Sequence, residues 1–366
     1  MVDQRIEKMA ELLVKYSLDV KPNQKMFIWS GMTAAPLVEA VYRKVIDLGA
    51  FPFVMWDFPA GSEYTLRHGS DEQIQHIPES VAVLYQKYDR MLRILAEENT
   101  KALSSIDPQR ISLASKARGP LMKTYMERTA RGEMKWSLTA FPTQGYAQDA
   151  DMSLAEYADF LYGACMPDQN DPVGYWTKIS KQQERIIAWL KGKKNVHLVG
   201  KGTDLRLSIE GRSFINCDCR VNVPDGEIFT GPVEDSIEGH VSFSYPTIYM
   251  TREVTGVQLE FRKGRVVEAS ATKNQDFLLK TLDIDAGARG VGEFAIGTNE
   301  GIQKFTRQIL FDEKIGGSFH MALGAGYPES GSKAQSVIHW DMICDLRDGY
   351  IEVDGEKLYE NGKFVI

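Results

Sequence analysis

Cysteine and histidine are the scarce residues of this chain, with four of one and six of the other among 366. Four scattered cysteines (Cys165, Cys217, Cys219, Cys344) make no disulfide framework, which fits a reducing compartment. Long hydrophobic runs are missing too, and none approaches the roughly 20 apolar residues that a membrane-spanning helix needs. The opening Met1-Val2-Asp3-Gln4-Arg5-Ile6-Glu7-Lys8 is charged and has no apolar segment behind it, unlike a secretory signal. No block of Lys or Arg stands apart, and the net charge is −7 with a pI near 5.5, so the basic stripe of a nucleic-acid binder is lacking. These absences predict a soluble, cytoplasmic protein without nucleic-acid or membrane partners.

Familiar site motifs are lacking as well. No G-x-G-x-x-G follows the first strand-like run, which removes a dinucleotide fingerprint there. Gly326-Tyr327-Pro328-Glu329-Ser330-Gly331 has the glycine spacing of a phosphate loop, but Ser332-Lys333 follows it in place of Lys-Ser/Thr. Neither a G-x-S-x-G elbow nor an H-E-x-x-H helix occurs. Cys217-Asp218-Cys219 reads as alternate residues of a strand more naturally than as a two-cysteine metal site.

What is present is an ordinary globular composition, 43% hydrophobic and 25% charged, in a chain long enough for two cored domains. Ile6, Met9, Leu13 and Tyr16 recur at helical spacing and predict an opening helix. Met26–Trp29 and Phe53–Trp56 read as strands flanking a helix marked by Leu37, Val41, Val45 and Leu48 and closed by Gly49. Strand, helix and strand of these lengths make a βαβ unit with parallel strands. Helical patterns follow over Pro108–Arg131, Ser153–Cys165 and Ile179–Lys191, with Trp136–Phe141 extended.

Past Lys191-Gly192-Lys193-Lys194 the texture changes to short alternating runs at Val196–Val199, Leu205–Ile209, Val241–Phe243, Val257–Phe261 and Val266–Ala269. Arg262-Lys263-Gly264-Arg265 reads as a hairpin loop, and Asp354-Gly355 as a turn between strand-like arms. The expected fold is an α/β N-terminal domain with parallel βαβ units over residues 1–190. A β-rich α+β catalytic domain over 191–366 follows, with helices around Asp276–Leu282 and Gly301–Leu310.

The chemistry concentrates in the second half. In Ile338-His339-Trp340-Asp341, His339 and Asp341 are two apart in a strand-like run and so share a face. His320 sits in the apolar Ser318-Phe319-His320-Met321-Ala322, and Tyr327 follows seven residues on in a Gly-Tyr-Pro turn. Glu227 lies just past the Asp225-Gly226 turn, and Glu293 inside the apolar Gly292-Glu293-Phe294-Ala295-Ile296-Gly297. A buried carboxylate is costly unless something compensates it, and a divalent cation is the strongest compensation available. Taken singly, a strand histidine is a hydrogen-bonded core residue, and that reading is kept for His68, His76, His197 and His240. Three carboxylates, two imidazoles and a phenol in one β-rich region suit Zn²⁺, Co²⁺ or Mn²⁺, and two ions better than one.

These segments closely resemble the aminopeptidase T family of metallo-exopeptidases, also called thermophilic aminopeptidases. The matching strings are Asn222-Val223-Pro224-Asp225-Gly226-Glu227, Gly292-Glu293-Phe294-Ala295-Ile296-Gly297-Thr298-Asn299, the run from Phe311 to Gly324, and Ile338-His339-Trp340-Asp341-Met342-Ile343. Ala96-Glu97-Glu98-Asn99-Thr100, Phe141-Pro142-Thr143 and Asp151-Met152-Ser153 extend the likeness into the first half. Carried over position by position, the resemblance implies metal ligands at Glu227, Glu293, His320, Tyr327, His339 and Asp341. It also implies two divalent ions per chain, a homodimer with its sites facing an internal cavity, and broad action on peptides with a free N-terminus. One departure is Ala334-Gln335-Ser336, where relatives often read Asn-x-Ser ahead of the His-x-Asp pair.

A metal suits this chemistry because a bound divalent cation lowers the pKa of water from 15.7 to about 7. Tyr327 is the candidate partner of the tetrahedral oxyanion, Glu293 the candidate bridging carboxylate or general base, and Glu313 a supporting group or a contact for the substrate amine. Two other readings remain open at this stage: a non-catalytic small-molecule-binding protein with a structural metal, and a mononuclear hydrolase of another amide or ester. The first is disfavoured because structural zinc sites use thiolates, and no cysteine falls in the ligand segments.

Overall fold

Met26, Phe27 and Ile28 have no exposed surface, as the core of an α/β layer requires. They lie in β1 (Lys25–Ser30), which pairs in parallel with β2 (Phe51–Trp56) and with β3 (Arg90–Leu95). β4 (Lys135–Ala140) and the short strand Asn222–Val223 complete a parallel sheet in the order β2-β1-β3-β4-(Asn222–Val223). The helix Ala35–Asp47 crosses between β1 and β2, and Gly49 stops it at φ 73°, donating to Ile46 O at 2.8 Å. This computed structural model describes residues 3–250 and 252–366, so Met1 and Val2 of the charged opening stretch lie outside the described residues.

The opening helix Gln4–Glu11 is capped by Asp3 and runs into a π-helical turn, Leu12–Ser17. The pattern at Pro108–Arg131 is two helices, Pro108–Ala117 and Gly119–Ala130, because Pro120 lacks the N–H that a continuous ladder would need there. Leu154–Cys165 starts at a capping box made by Ser153 and Glu156.

The chain divides into two compact units. One holds residues up to Val173 together with Cys219–Val223, the other Gly174–Asp218 with Pro224–Ile366. The division falls in the first turn of the helix Pro172–Leu190, which starts earlier than its apolar pattern.

The second unit contains two large antiparallel sheets and a two-stranded one, Thr247–Tyr249 with Arg252–Val254. Eight strands form one large sheet, in the order Arg265–Ser270, Gln258–Arg262, Glu238–Ser242, Thr203–Ser208, Asn195–Gly200, Tyr350–Val353, Glu356–Glu360 and Lys363–Phe364. Lys263-Gly264 (φ 48° and 73°) and Asp354-Gly355 (φ 50° and 81°) make tight left-handed turns between neighbours, as their sequences predict. The other large sheet is built of β5 (Ile215–Cys217), β6 (Glu227–Thr230), β7 (Val291–Gly297), β8 (Ser318–Gly324) and β9 (His339–Asp345), in the order β9-β8-β7-β6-β5. Both large sheets contribute to one core, where Leu198, Leu205, Val241 and Phe261 meet Phe294, Phe319, Met321, Trp340 and Met342.

The helix expected at Gly301–Leu310 does not form. Only Ile309–Asp312 is helical, and the segment before it is a loop tied down by side chains. Asn299 Oδ1 accepts from Gly301 N at 2.9 Å, and the buried Asp312 carboxylate accepts from Thr306 N at 2.7 Å and Thr306 Oγ1 at 2.8 Å. Such side-chain bonds satisfy backbone groups outside a helix and so compete with it.

Candidate metal centre

Alternation along β7, β8 and β9 sorts the side chains of this sheet. Phe294 and Ile296, Phe319, Met321 and Leu323, and Trp340, Met342 and Cys344 enter the shared core. By the two-residue period of a strand, Glu293, His320, His339 and Asp341 then project from the opposite face. Glu293 needs a further device. Val291 also lies in the core, and in a regular strand residues 291 and 293 would share a face. A register slip between them, with Val291 opposite Leu323 but Glu293 opposite Ala322, re-aims the glutamate. Gly292 permits the slip, since a Cβ there would stand 2.1 Å from Ala325 O. Ala322 is paired with Glu293 on one side and Asp341 on the other, so a small side chain separates two carboxylates.

The converging groups are close and dry. His320 Nε2 is 3.2 Å from Glu293 Oε1 and 3.5 Å from Glu227 Oε2. His339 Nε2 is 3.8 Å from Glu293 Oε2 and 3.5 Å from Asp341 Oδ1. Glu227 and Glu293 are each 5% exposed and His320 0%. His339 Nδ1 lies 2.9 Å from Ala325 O; donating there, the imidazole leaves the Nε2 lone pair facing the carboxylates.

Burial first of all pushes Glu227 and Glu293 above the usual carboxylate range, against Lys314 for the one and His320 for the other. Asp341, also buried, is nonetheless held low by His339 and His320. Burial would lower both imidazoles, but the carboxylates outweigh it and raise His320 to about 10 and His339 to about 9.

This donor set fits divalent cations. Ligand atoms about 2.1 Å from a common tetrahedral ion are roughly 3.4 Å apart, close to the nitrogen–oxygen separations above. Among the described residues Glu227 Oε2 and His320 Nδ1 find no hydrogen-bond partner, and each such buried orphan costs about 1–3 kcal/mol. Glu227, Glu293 and His320 each offer a donor atom within 4.8 Å of the others, and Glu313, His320 and Asp341 do the same.

Tyr327 is placed differently from the other expected ligands. It is 43% exposed, its ring packs 5.3 Å from His339 and 5.5 Å from Phe229 between centroids, and its hydroxyl makes no hydrogen bond among the described residues. Burial, and then the carboxylates around it, raise its pKa. The loop before His339 is held by side chains other than that of Ala334, whose backbone O accepts from Gly326 N at 3.1 Å. Ser336 Oγ bonds both oxygens of Asp285 at 2.9 Å, and Val337 N donates to Asp285 Oδ2 at 2.7 Å.

Two neighbours of the site were not legible as such. Cys217 ends β5, and its sulfur lies within 4.8 Å of donor atoms of Asp225 and Glu227, so one cysteine does reach the ligand region. Cys219 takes φ 68°, so the two cysteines are not alternate residues of one strand. Lys314 is 0% exposed with Nζ 3.7 Å from Glu227 Oε1 and paired with Glu313. Its only sequence signal is an acidic pair, Asp312-Glu313, set between apolar Phe311 and Ile315.

A buried acid–imidazole centre on an antiparallel sheet, in a chain that also holds a parallel α/β unit, suits a metal-dependent hydrolase. The chain belongs to the thermophilic metalloprotease (M29) family, whose model matches residues 2–364. Among its relatives, aminopeptidase 2 of Geobacillus stearothermophilus is 28% identical over 393 residues, covering 96% of this chain and 94% of that one. Aminopeptidase T of Thermus thermophilus is 26% identical over 395 residues, covering 98% and 95%. The solved structure of wild-type AmpT from Thermus thermophilus has the same fold, with a TM-score of 0.87 at 24% identity over 99% of both chains. Nothing in these likenesses favours a non-catalytic small-molecule-binding protein or a hydrolase of another amide or ester.

Proposed function

We propose that this chain is a metal-dependent aminopeptidase whose centre holds two divalent cations. The observation that carries the reading is the placement of Glu293, with Oε1 toward His320 and Oε2 toward His339. Glu227, Glu293, His320, His339 and Asp341 would hold the ions. Zn²⁺, Co²⁺ and Mn²⁺ all suit these nitrogen and oxygen donors. When bound, such cations polarise the scissile carbonyl and make water nucleophilic near neutral pH.

The chain's own groups then divide the work. Glu293 would serve either as a ligand through both oxygens or, with one of them left free, as the base that takes a proton from water. The Tyr327 hydroxyl stays protonated at neutral pH and can donate to the carbonyl oxygen as negative charge builds there. The acidic surroundings favour a substrate bearing a free ammonium.

The family likeness also supports a homodimer, and four free cysteines support a cytoplasmic setting. No helix is long and apolar enough to cross a membrane among the described residues.

The deciding assay pairs metal removal with substrate blocking. Chelation is expected to abolish hydrolysis and Co²⁺, Zn²⁺ or Mn²⁺ to restore it, with release of N-terminal residues from free but not N-acetylated peptides. Full activity without metal, or internal cleavage of the acetylated peptide, would sink the proposal.

A further inference from the structure

Lys314 has no exposed side-chain surface, and none of the steps above needs it. A fully buried lysine is rare and demands compensation, which here comes from Glu227 at 3.7 Å and from Glu313. Both glutamates also face His320, in two different ligand groups. Glu227 also belongs to a further donor set, in which Cys217, Asp225 and Glu227 offer a sulfur and two oxygens within 4.8 Å of one another. A thiolate with two carboxylates is a good set for a divalent cation, so this sheet carries more donors than two ions require.

Backbone bonds tie the lysine to the turn before Glu227. Asn299 N donates to Lys314 O at 3.1 Å, while Asn299 Nδ2 donates to Asp225 O at 2.7 Å. Thr298 N donates to Gly226 O at 2.8 Å, and Gly226 (φ 114°) allows the approach, since a Cβ there would stand 2.9 Å from that of Asn299. One short segment thus ties Lys314 to the turn that carries Asp225 and Glu227.

We infer that Lys314 is a positioning residue whose ammonium takes the place of a further metal ion among Glu227, Glu313, Asp225 and Cys217. It turns the two glutamates toward His320 and confines metal to the His320–His339 side. A lysine suits this task because it is a compact point charge that donates three hydrogen bonds and cannot ligate while protonated. The inference rests on the reading of Glu227 as a ligand.

Cobalt tests it, because thiolate ligation gives a charge-transfer band in the near ultraviolet that oxygen and nitrogen donors do not. Native mass spectrometry and absorption spectra are taken on the full chain titrated with Co²⁺. Wild type is expected to take up about two ions and show no thiolate band. Lys314→Met should take up about three and show the band, which should vanish again in Lys314→Met/Cys217→Ser. Lys314→Gln, which keeps a hydrogen-bonding group for a chain that needs one to fold, should gain the same third ion. A thiolate band in wild type, or uncharged variants that gain no ion, would overturn the role of Lys314. Two ions in wild type beside two in the variants would leave the metal centre standing. A wild type that binds none would remove the centre itself.

Discussion

Asp341 is the residue on which the centre can be tested most sharply. Asn keeps its shape and hydrogen bonding but removes the anion facing His339 Nε2 at 3.5 Å. Loss of a mere supporting partner costs about 10–100-fold in metal affinity, so Asp341→Asn should weaken metal binding by at least that. The rise in melting temperature on adding metal should shrink accordingly. Equal metal-induced rises in both proteins would take Asp341 out of the site. The imidazoles give a pH signature. Against burial, which lowers both, the carboxylates raise His320 and His339 from 6.5 to about 10 and about 9 in the metal-free site. A histidine raised in the folded state stabilises fully below its unfolded pKa and loses that contribution as pH climbs through the folded value. Metal-free protein should therefore lose stability between about pH 6.5 and 10, while metal affinity should climb with pH up to about 10 as fewer protons have to be displaced. Calorimetric metal titrations in buffers of different ionisation enthalpy read the released protons, and an affinity flat across that window would contradict the account.

At the scale of the strand, β7 depends on its slip at Gly292. Gly292→Ala would drive a Cβ to within 2.1 Å of Ala325 O, the acceptor of the His339 Nδ1 hydrogen bond. The substitution should therefore disturb both Glu293 and the orientation of His339, lowering metal affinity by about 10–100-fold without touching a ligand. Metal titration followed by melting checks it, and unchanged affinity in a folded Gly292→Ala protein would show that the slip does not position the site. The same strand shows how far a pattern can be read. Phe294 and Ile296 announce a core-facing stripe in the sequence, but simple alternation puts Glu293 on the face of Val291. Only pairing with β8 shows that the glutamate leaves that face.

For the whole molecule, metal binding should be felt unevenly. β6 to β9 carry the ligands on one face and core residues on the other, so cations bound only by the folded state should stabilise the core of the second unit. Hydrogen exchange at residues 227–230, 291–297, 318–324 and 339–345 should slow by at least tenfold on metal loading, a shift of about 1.4 kcal/mol, while β1 and β2 change little. Uniform slowing through both units would mean that the ions act on the chain as a whole. The architecture was largely visible beforehand: the βαβ start, the hairpin turns at Lys263-Gly264 and Asp354-Gly355, and the change to short strands all follow from local pattern. The segment 301–308 was misread as helix because its apolar spacing says nothing of the side chains, Asn299 and Asp312, that bond its backbone instead.

By itself the sequence determined the alternation that puts imidazoles and carboxylates on one face of β8 and β9. It also determined the glycine turns that close the hairpins and the motif strings that mark the family. These are local properties, set by backbone sterics and by the two-residue period of a strand. Tertiary structure alone decided that Glu293 leaves the face of Val291, that Ser336 and Asp285 hold the loop before His339, and that Cys217 and Lys314 reach Glu227. Each of these depends on a partner distant in the chain. Desolvation and pairing energies arise only when folding brings such groups together, so no reading of neighbours along the sequence can supply them.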